Sequence, residues 1–121
     1  GTANYRKKFP VSALPSPGSK LFLDLGTVGE TAKVTLNGKD LGVLWCGPRR
    51  VDITEAIKPG ENELEIEVVN NWPNRLIGDG KLPAEQRRTR TNIEKYNPLK
   101  TGEHALLASG LLGPVTISTP E

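Results

Sequence analysis

The stretch Ala32 to Trp45, AKVTLNGKDLGVLW, restricts the folding options of this chain more than any other. It reads as two strands joined by the two-residue turn Asn37-Gly38. A type I′ turn requires positive φ at both central positions, which Asn tolerates and Gly adopts freely. Ala32, Val34 and Leu36 share one face of the incoming arm, with Lys33 and Thr35 on the other. On the outgoing arm Leu41, Val43 and Trp45 align, opposite Asp40, Gly42 and Leu44. A period of two on both arms predicts a hairpin that lies on a core, with one face at least partly wet. That register assigns Trp45 to the core or its rim. A lone hairpin is marginal in water, so further strands must supply partners and a second layer.

Those strands are visible on both sides. Tyr5, Phe9 and Val11 alternate with Arg6 and Lys8 in a first strand over 3–11, and Pro10 suits an edge or bulge. LPSPGS, residues 14–19, is a loop by composition. Leu21, Leu23 and Leu25 form the inward face of a second strand, closed by Gly26. After the break at Gly47-Pro48, Arg49 to Ile53 is a short strand, and Thr54 is placed to N-cap one helical turn over 55–57. Pro59-Gly60 suits a type II turn. From Asn62 to Asn70, Leu64, Ile66 and Val68 face inward while Glu63, Glu65 and Glu67 face water. Regular structure returns at Leu106 to Ser109, and Val115 and Ile117 face the core from a final strand.

With 13 Gly, 10 Pro and no Met in 121 residues, the chain is expected to be all-β. Seven or eight short strands predict a β-sandwich of jelly-roll type. One domain, 1–121, can bury roughly two-thirds of its unfolded surface around a single core. Gly1 at an abrupt start suggests a piece cut from a longer protein. The net charge of +2 is too mild to imply nucleic acid. The run Arg87-Arg88-Thr89-Arg90 lies among scattered acidic residues and reads as a solvated loop or a contact to a partner domain. The single cysteine, Cys46, rules out an internal disulfide and a Cys-rich zinc site. His104 has no obvious metal co-ligand, and no Asp-rich loop signals a calcium site. No apolar run approaches the roughly 20 residues of a membrane span, and no signal peptide is visible.

Beyond Asn70 the periodicity fails for about 35 residues, and segments of that kind inside compact domains are usually functional or flexible, or hide an element. A short strand is expected around Leu76-Ile77. Trp72 lies outside any period, between Asn71 and Pro73, with Asn74, Arg75 and Asp79 nearby and Tyr96, a weaker candidate, further along. A flat ring with polar neighbours suits the apolar face and hydroxyls of a sugar and equally suits a neighbouring domain, while a simple loop anchor is favoured over either. The same weighing assigns Asn37, Gly38, Asp52, Thr54, Gly60 and Asn62 to turn and corner chemistry.

LNGKDLGVLW, then VDIT, then KPGENELEIEVVNNW together resemble the sugar-binding β-sandwich of glycoside hydrolase family 2 and its relatives. NRLIGDGKLP and SGLLGPVTI are similar to the C-terminal sandwich of bacterial α-L-rhamnosidases, glycoside hydrolase family 106. The resemblance implies a galactose-binding-domain-like fold. It implies a noncatalytic accessory module that packs on the catalytic domain of a larger bacterial enzyme, periplasmic or extracellular, with a loop-bearing end that could touch oligo- or polysaccharide. No cofactor is implied, although such sandwiches often carry a structural calcium ion. An autonomous carbohydrate-binding module is the alternative, and a small enzyme the third reading. Exposure of Trp72 would favour the binding module, and burial would remove its best platform.

Overall fold

The computed structural model describes residues 1–90 and 105–120. The chain divides into two compact units, Gly1–Asn70 with Ser109–Glu121, and Asn71–Ala108.

The first unit contains nine strands among its described residues: β1 (Thr2–Val11), β2 (Phe22–Asp24), β3 (Thr27–Gly29), β4 (Thr31–Leu36), β5 (Lys39–Leu44), β6 (Arg50–Asp52), β7 (Gly60–Val69), β8 (Gly110–Gly113) and β9 (Thr116–Ser118). A four-stranded sheet runs β1-β7-β4-β5 and a three-stranded sheet runs β6-β2-β9, while β3 and β8 pair by themselves. Every strand pair is antiparallel. The core is built from Ala32, Val34 and Leu36 on β4, Leu64, Ile66 and Val68 on β7, and Leu23 on β2, joined by Leu25, Ile53 and Ile57. Full burial of a Val, Leu or Ile side chain stabilises by roughly 1.5–3 kcal/mol each, so this alternation outweighs any surface term. The outer face of the larger sheet carries cross-strand ion pairs, Arg6–Glu65 at 3.2 Å, Lys8–Glu61 at 3.4 Å and Lys33–Asp40 at 3.1 Å. Exposed pairs of this kind add little, and what they specify is which face meets water.

The Asn37-Gly38 turn has φ of 52° and 79°, as a type I′ hairpin requires. An added Cβ at Gly38 meets nothing within 4 Å, so the constraint there is backbone strain alone. Gly38→Val is expected to lower stability by at least about 1 kcal/mol, read as a shifted thermal midpoint. An unchanged midpoint would contradict the left-handed turn.

The outgoing arm departs from simple alternation. Lys33 pairs with Val43 and Thr35 with Asp40, so Leu41 and Gly42 together face Val34. This bulge is accommodated at Gly42, with φ of 95° and its N–H donating to Asp40 Oδ1 at 2.8 Å. Leu41 and Leu44 then both pack on the core, whereas Val43 turns outward. The expected core or rim position of Trp45 is therefore not met: 69% of its surface is exposed.

Other expectations shift for local reasons. Asp52, rather than Thr54, organises the corner after β6: its Oδ1 accepts from the Thr54 N–H at 2.9 Å and hydroxyl at 2.6 Å. The Thr54 hydroxyl oxygen accepts from the Leu21 N–H at 2.9 Å, and Ile53 carries the carbonyl that receives Ala56 and Ile57. The short strand β3 was not foreseen, because it is too brief to show a period. The returning strand begins at Gly110 rather than within 106–109. Val115 and Ile117 remain 39% and 40% exposed, because β9 is the last strand of its sheet among the described residues.

Candidate functional site

The second unit is built on α1 (Pro73–Gly80), followed by a 3₁₀ turn at Ala84–Gln86. The strand expected around Leu76-Ile77 is thus helix. Pro73 stands in its first turn, where a missing N–H and a fixed φ cost nothing. Leu76 N–H donates to the Trp72 carbonyl at 3.1 Å, and Ile77 is the buried apolar side chain. With Gly78 and Gly80 in so short a helix, intrinsic propensity is weak, and side-chain bonds to later residues hold it.

Asp79 is the centre of those bonds. Only 2% of its surface is exposed. Its Oδ2 accepts from the Thr89 hydroxyl at 2.6 Å, the Thr89 N–H at 2.7 Å and the Arg88 N–H at 3.1 Å. Its Oδ1 meets Arg75, one turn earlier, at 3.0 Å. The Thr89 hydroxyl, above all, holds the carboxyl below its ordinary range against the opposing effect of burial, with the Thr89 N–H and Arg75 adding to it. Asn74 forms a second clamp: its Nδ2 donates to the Leu107 carbonyl at 2.8 Å and its Oδ1 accepts from the Leu107 N–H at 2.7 Å. That pairing imitates a strand partner, and sequence reasoning had no local signal for it.

Because folding depresses the pKa of Asp79, its contribution is complete above the unfolded value of about 4 and is lost as pH falls through the lower folded value. The protection of the Arg88 and Thr89 amides, taken relative to their intrinsic exchange rates at each pH, is therefore expected to fall on acidification below about pH 4. Asp79→Asn should remove that pH step; a step that survives the substitution would assign it to another carboxyl.

The candidate residues are distributed unequally. Asn71 and Trp72 are exposed, with 67% of Trp72 open to solvent. Arg75 is half-exposed while paired to Asp79, whose oxygens already have donors. Tyr96 lies outside the described residues, as does His104. Leu106 and Leu107 of the same unit are exposed apolar side chains that the sequence reading did not single out as surface residues.

The first unit has its own polar cleft of about 420 Å³, lined by Lys20, Lys39, Leu41, Asp52, Thr54 and Glu55. Lys20 meets Asp52 at 3.5 Å and Lys39 meets Glu55 at 3.6 Å. The Thr54 hydroxyl, then its N–H, holds Asp52 below the usual carboxylate range, and the Gly42 N–H, then the Lys33 ammonium, does the same to Asp40. A glycosidase acid needs the opposite displacement. Among the described residues no group of three His, Cys, Asp or Glu side chains is positioned to hold a metal ion. No described helix is long and apolar enough to cross a membrane.

Two facing antiparallel sheets, an Asn-Gly hairpin on the larger one and side-chain-locked corners define a galactose-binding-like β-sandwich. Residues 2–101 match the family described as glycosyl hydrolase 2 galactose-binding domain-like, and the chain belongs to that family. A protein of Formosa agariphila named "Putative beta-glucuronidase" is 45% identical over 98% of this chain. The solved rhamnosidase of Novosphingobium sp. PP1Y is 44% identical over 97% of the chain, with a TM-score of 0.82. A beta-glucuronidase of an uncultured Clostridium sp. is 35% identical over 60% of the chain, with a TM-score of 0.51. The chain spans 12%, 11% and 13% of the lengths of these three proteins.

Proposed function

We propose that this chain is a noncatalytic accessory β-sandwich module of a larger bacterial glycoside hydrolase of rhamnosidase-like type, working in the periplasm or outside the cell. Its role is to pack against the catalytic domain. The observation that carries the reading is the likeness to the Novosphingobium rhamnosidase, which extends over nearly all of this chain and about a tenth of that enzyme. The depressed carboxyls of Asp40, Asp52 and Asp79 support a noncatalytic role, since hydrolysis needs one carboxyl kept protonated opposite another.

The isolated chain is expected to release no nitrophenol from aryl α-L-rhamnoside, β-galactoside or β-glucuronide. Turnover abolished by Asp79→Asn or Glu85→Gln would overturn the noncatalytic reading.

A second reading, an autonomous carbohydrate-binding module, draws on the exposure of Trp72 beside Asn71 and Arg75. Asp79 is not counted among its sugar contacts, because its oxygens are occupied. A glycan array probed with the 121-residue chain separates the two. Retention that Trp72→Ala abolishes would favour the binding module, and absence of retention the accessory role.

A further inference from the structure

The first unit keeps part of its core open. A groove of about 580 Å³ reaches the side chains of Leu23, Leu64 and Ile66, which are otherwise buried, with Phe9, Val115 and Ile117 on its walls. It runs between two sheet edges, those of β1 and β9. Among the described residues β1 pairs only with β7, and β9 only with β2. Among the described residues the four-stranded sheet therefore faces a three-stranded one, and the outer backbone edge of β9 has no strand partner, at the place where a fourth strand would lie.

The groove also has a charge preference. Lys7 is registered opposite Leu64, and Tyr5 opposite Ile66, so both point to the inner face of the sheet. Lys7 has no carboxylate within 4 Å among the described residues, while Arg6 at the rim is paired with Glu65. An inward lysine on an edge strand deters pairing with arbitrary strands, and it selects an occupant that brings a negative charge. An extended segment satisfies all three features together: backbone groups for the β9 edge, alternate apolar side chains for the groove, and one carboxylate for Lys7. A small ligand or a helix would leave the β9 edge unpaired.

The geometry points to strand donation: a segment from the remainder of the longer polypeptide, apolar at alternate positions and carrying an Asp or Glu, adds to β9 and closes the sandwich. This rests on the accessory-module reading above, and it supplies the covalent neighbour through which that module is fixed. The 12% and 11% coverage of the relatives' lengths leaves ample chain in such enzymes to provide the strand.

The test compares hydrogen exchange in the 121-residue chain and in the longer polypeptide that contains it. Exchange at Thr116–Ser118 is expected to slow at least about tenfold in the longer form. Ile117→Lys, at a partly exposed position, should abolish that slowing while the amides of Leu64–Val68 stay protected, which shows that the fold survives. Lys7→Glu should weaken the slowing and Lys7→Arg preserve it. Equal exchange at β9 in both forms, with new protection around Trp72 or Trp45, overturns strand donation and leaves the accessory reading standing. Equal exchange everywhere overturns both. Sedimentation of the isolated chain as a dimer that Ile117→Lys dissociates would name a second copy as the occupant and overturn donation from the parent polypeptide.

Discussion

Gly26→Ala is expected to destabilise the first unit by about 3 kcal/mol or more, adding the left-handed penalty to the cost of overpacking. Gly26 has φ of 62° and bridges to Gly113 where β2 gives way to the β3–β8 pair. A Cβ there would lie 2.5 Å from both the carbonyl carbon and oxygen of Gly113, and 2.7 Å from the Pro114 oxygen. These are backbone atoms, which cannot swing aside as a flexible side chain would. Native domains have only about 5–15 kcal/mol to lose, so the urea midpoint should fall markedly. Gly38→Ala is the control, because its φ is also positive but its surroundings are open. Equal losses at the two positions would show that the close approach at Gly26 relaxes freely.

Asn62→Ala is the second large expected effect. Asn62 is fully buried. Its Oδ1 accepts from Asn37 Nδ2 at 2.7 Å and the Lys58 N–H at 2.9 Å, while its Nδ2 donates to the carbonyls of Lys58 at 2.7 Å and Gly60 at 3.0 Å. The Pro59-Gly60 corner and the hairpin turn are thus tied by one amide. Asn37 extends the link, donating to the Ala56 carbonyl at 2.8 Å and accepting from the Glu63 N–H at 2.9 Å. Orphaned buried polar groups cost about 1–3 kcal/mol each, and partial rewetting leaves an expected loss of roughly 3 kcal/mol. Asn37→Ala shares partners with it, so the double variant should lose less than the sum of the singles. Additive losses in chemical denaturation would mean that the two amides act independently.

Much of the sandwich was legible because its strongest signals are local. Asn37-Gly38, Pro59-Gly60 and the alternation from Leu64 to Val68 each express a constraint met within a few residues, and each appears where expected. Asn37 and Asn62 were assigned to turn and corner chemistry, and the structure adds that they bond to each other. Trp45 shows where local reading stops. The alternation that assigns it to the core or its rim is broken by a bulge set through pairing with β4, and one extra residue reverses every face beyond it.

The candidate site was less legible. Trp72, Asn71, Arg75 and Asp79 do fall in one unit, but their sequence proximity did not distinguish an exposed ring from a consumed carboxylate. Asp79 reaches Thr89, ten positions on, and Asn74 reaches Leu107, thirty-three positions on. A helix of eight residues with two glycines has too little intrinsic preference to announce itself before those bonds form. By itself, then, the sequence determined the all-β class, the family, the hairpin and the corners, because turn residues and period-two burial act over short distances. Only the tertiary structure decided which of its tryptophans and carboxylates remain open to a partner, because exposure and hydrogen-bond occupancy depend on residues brought together from distant parts of the chain.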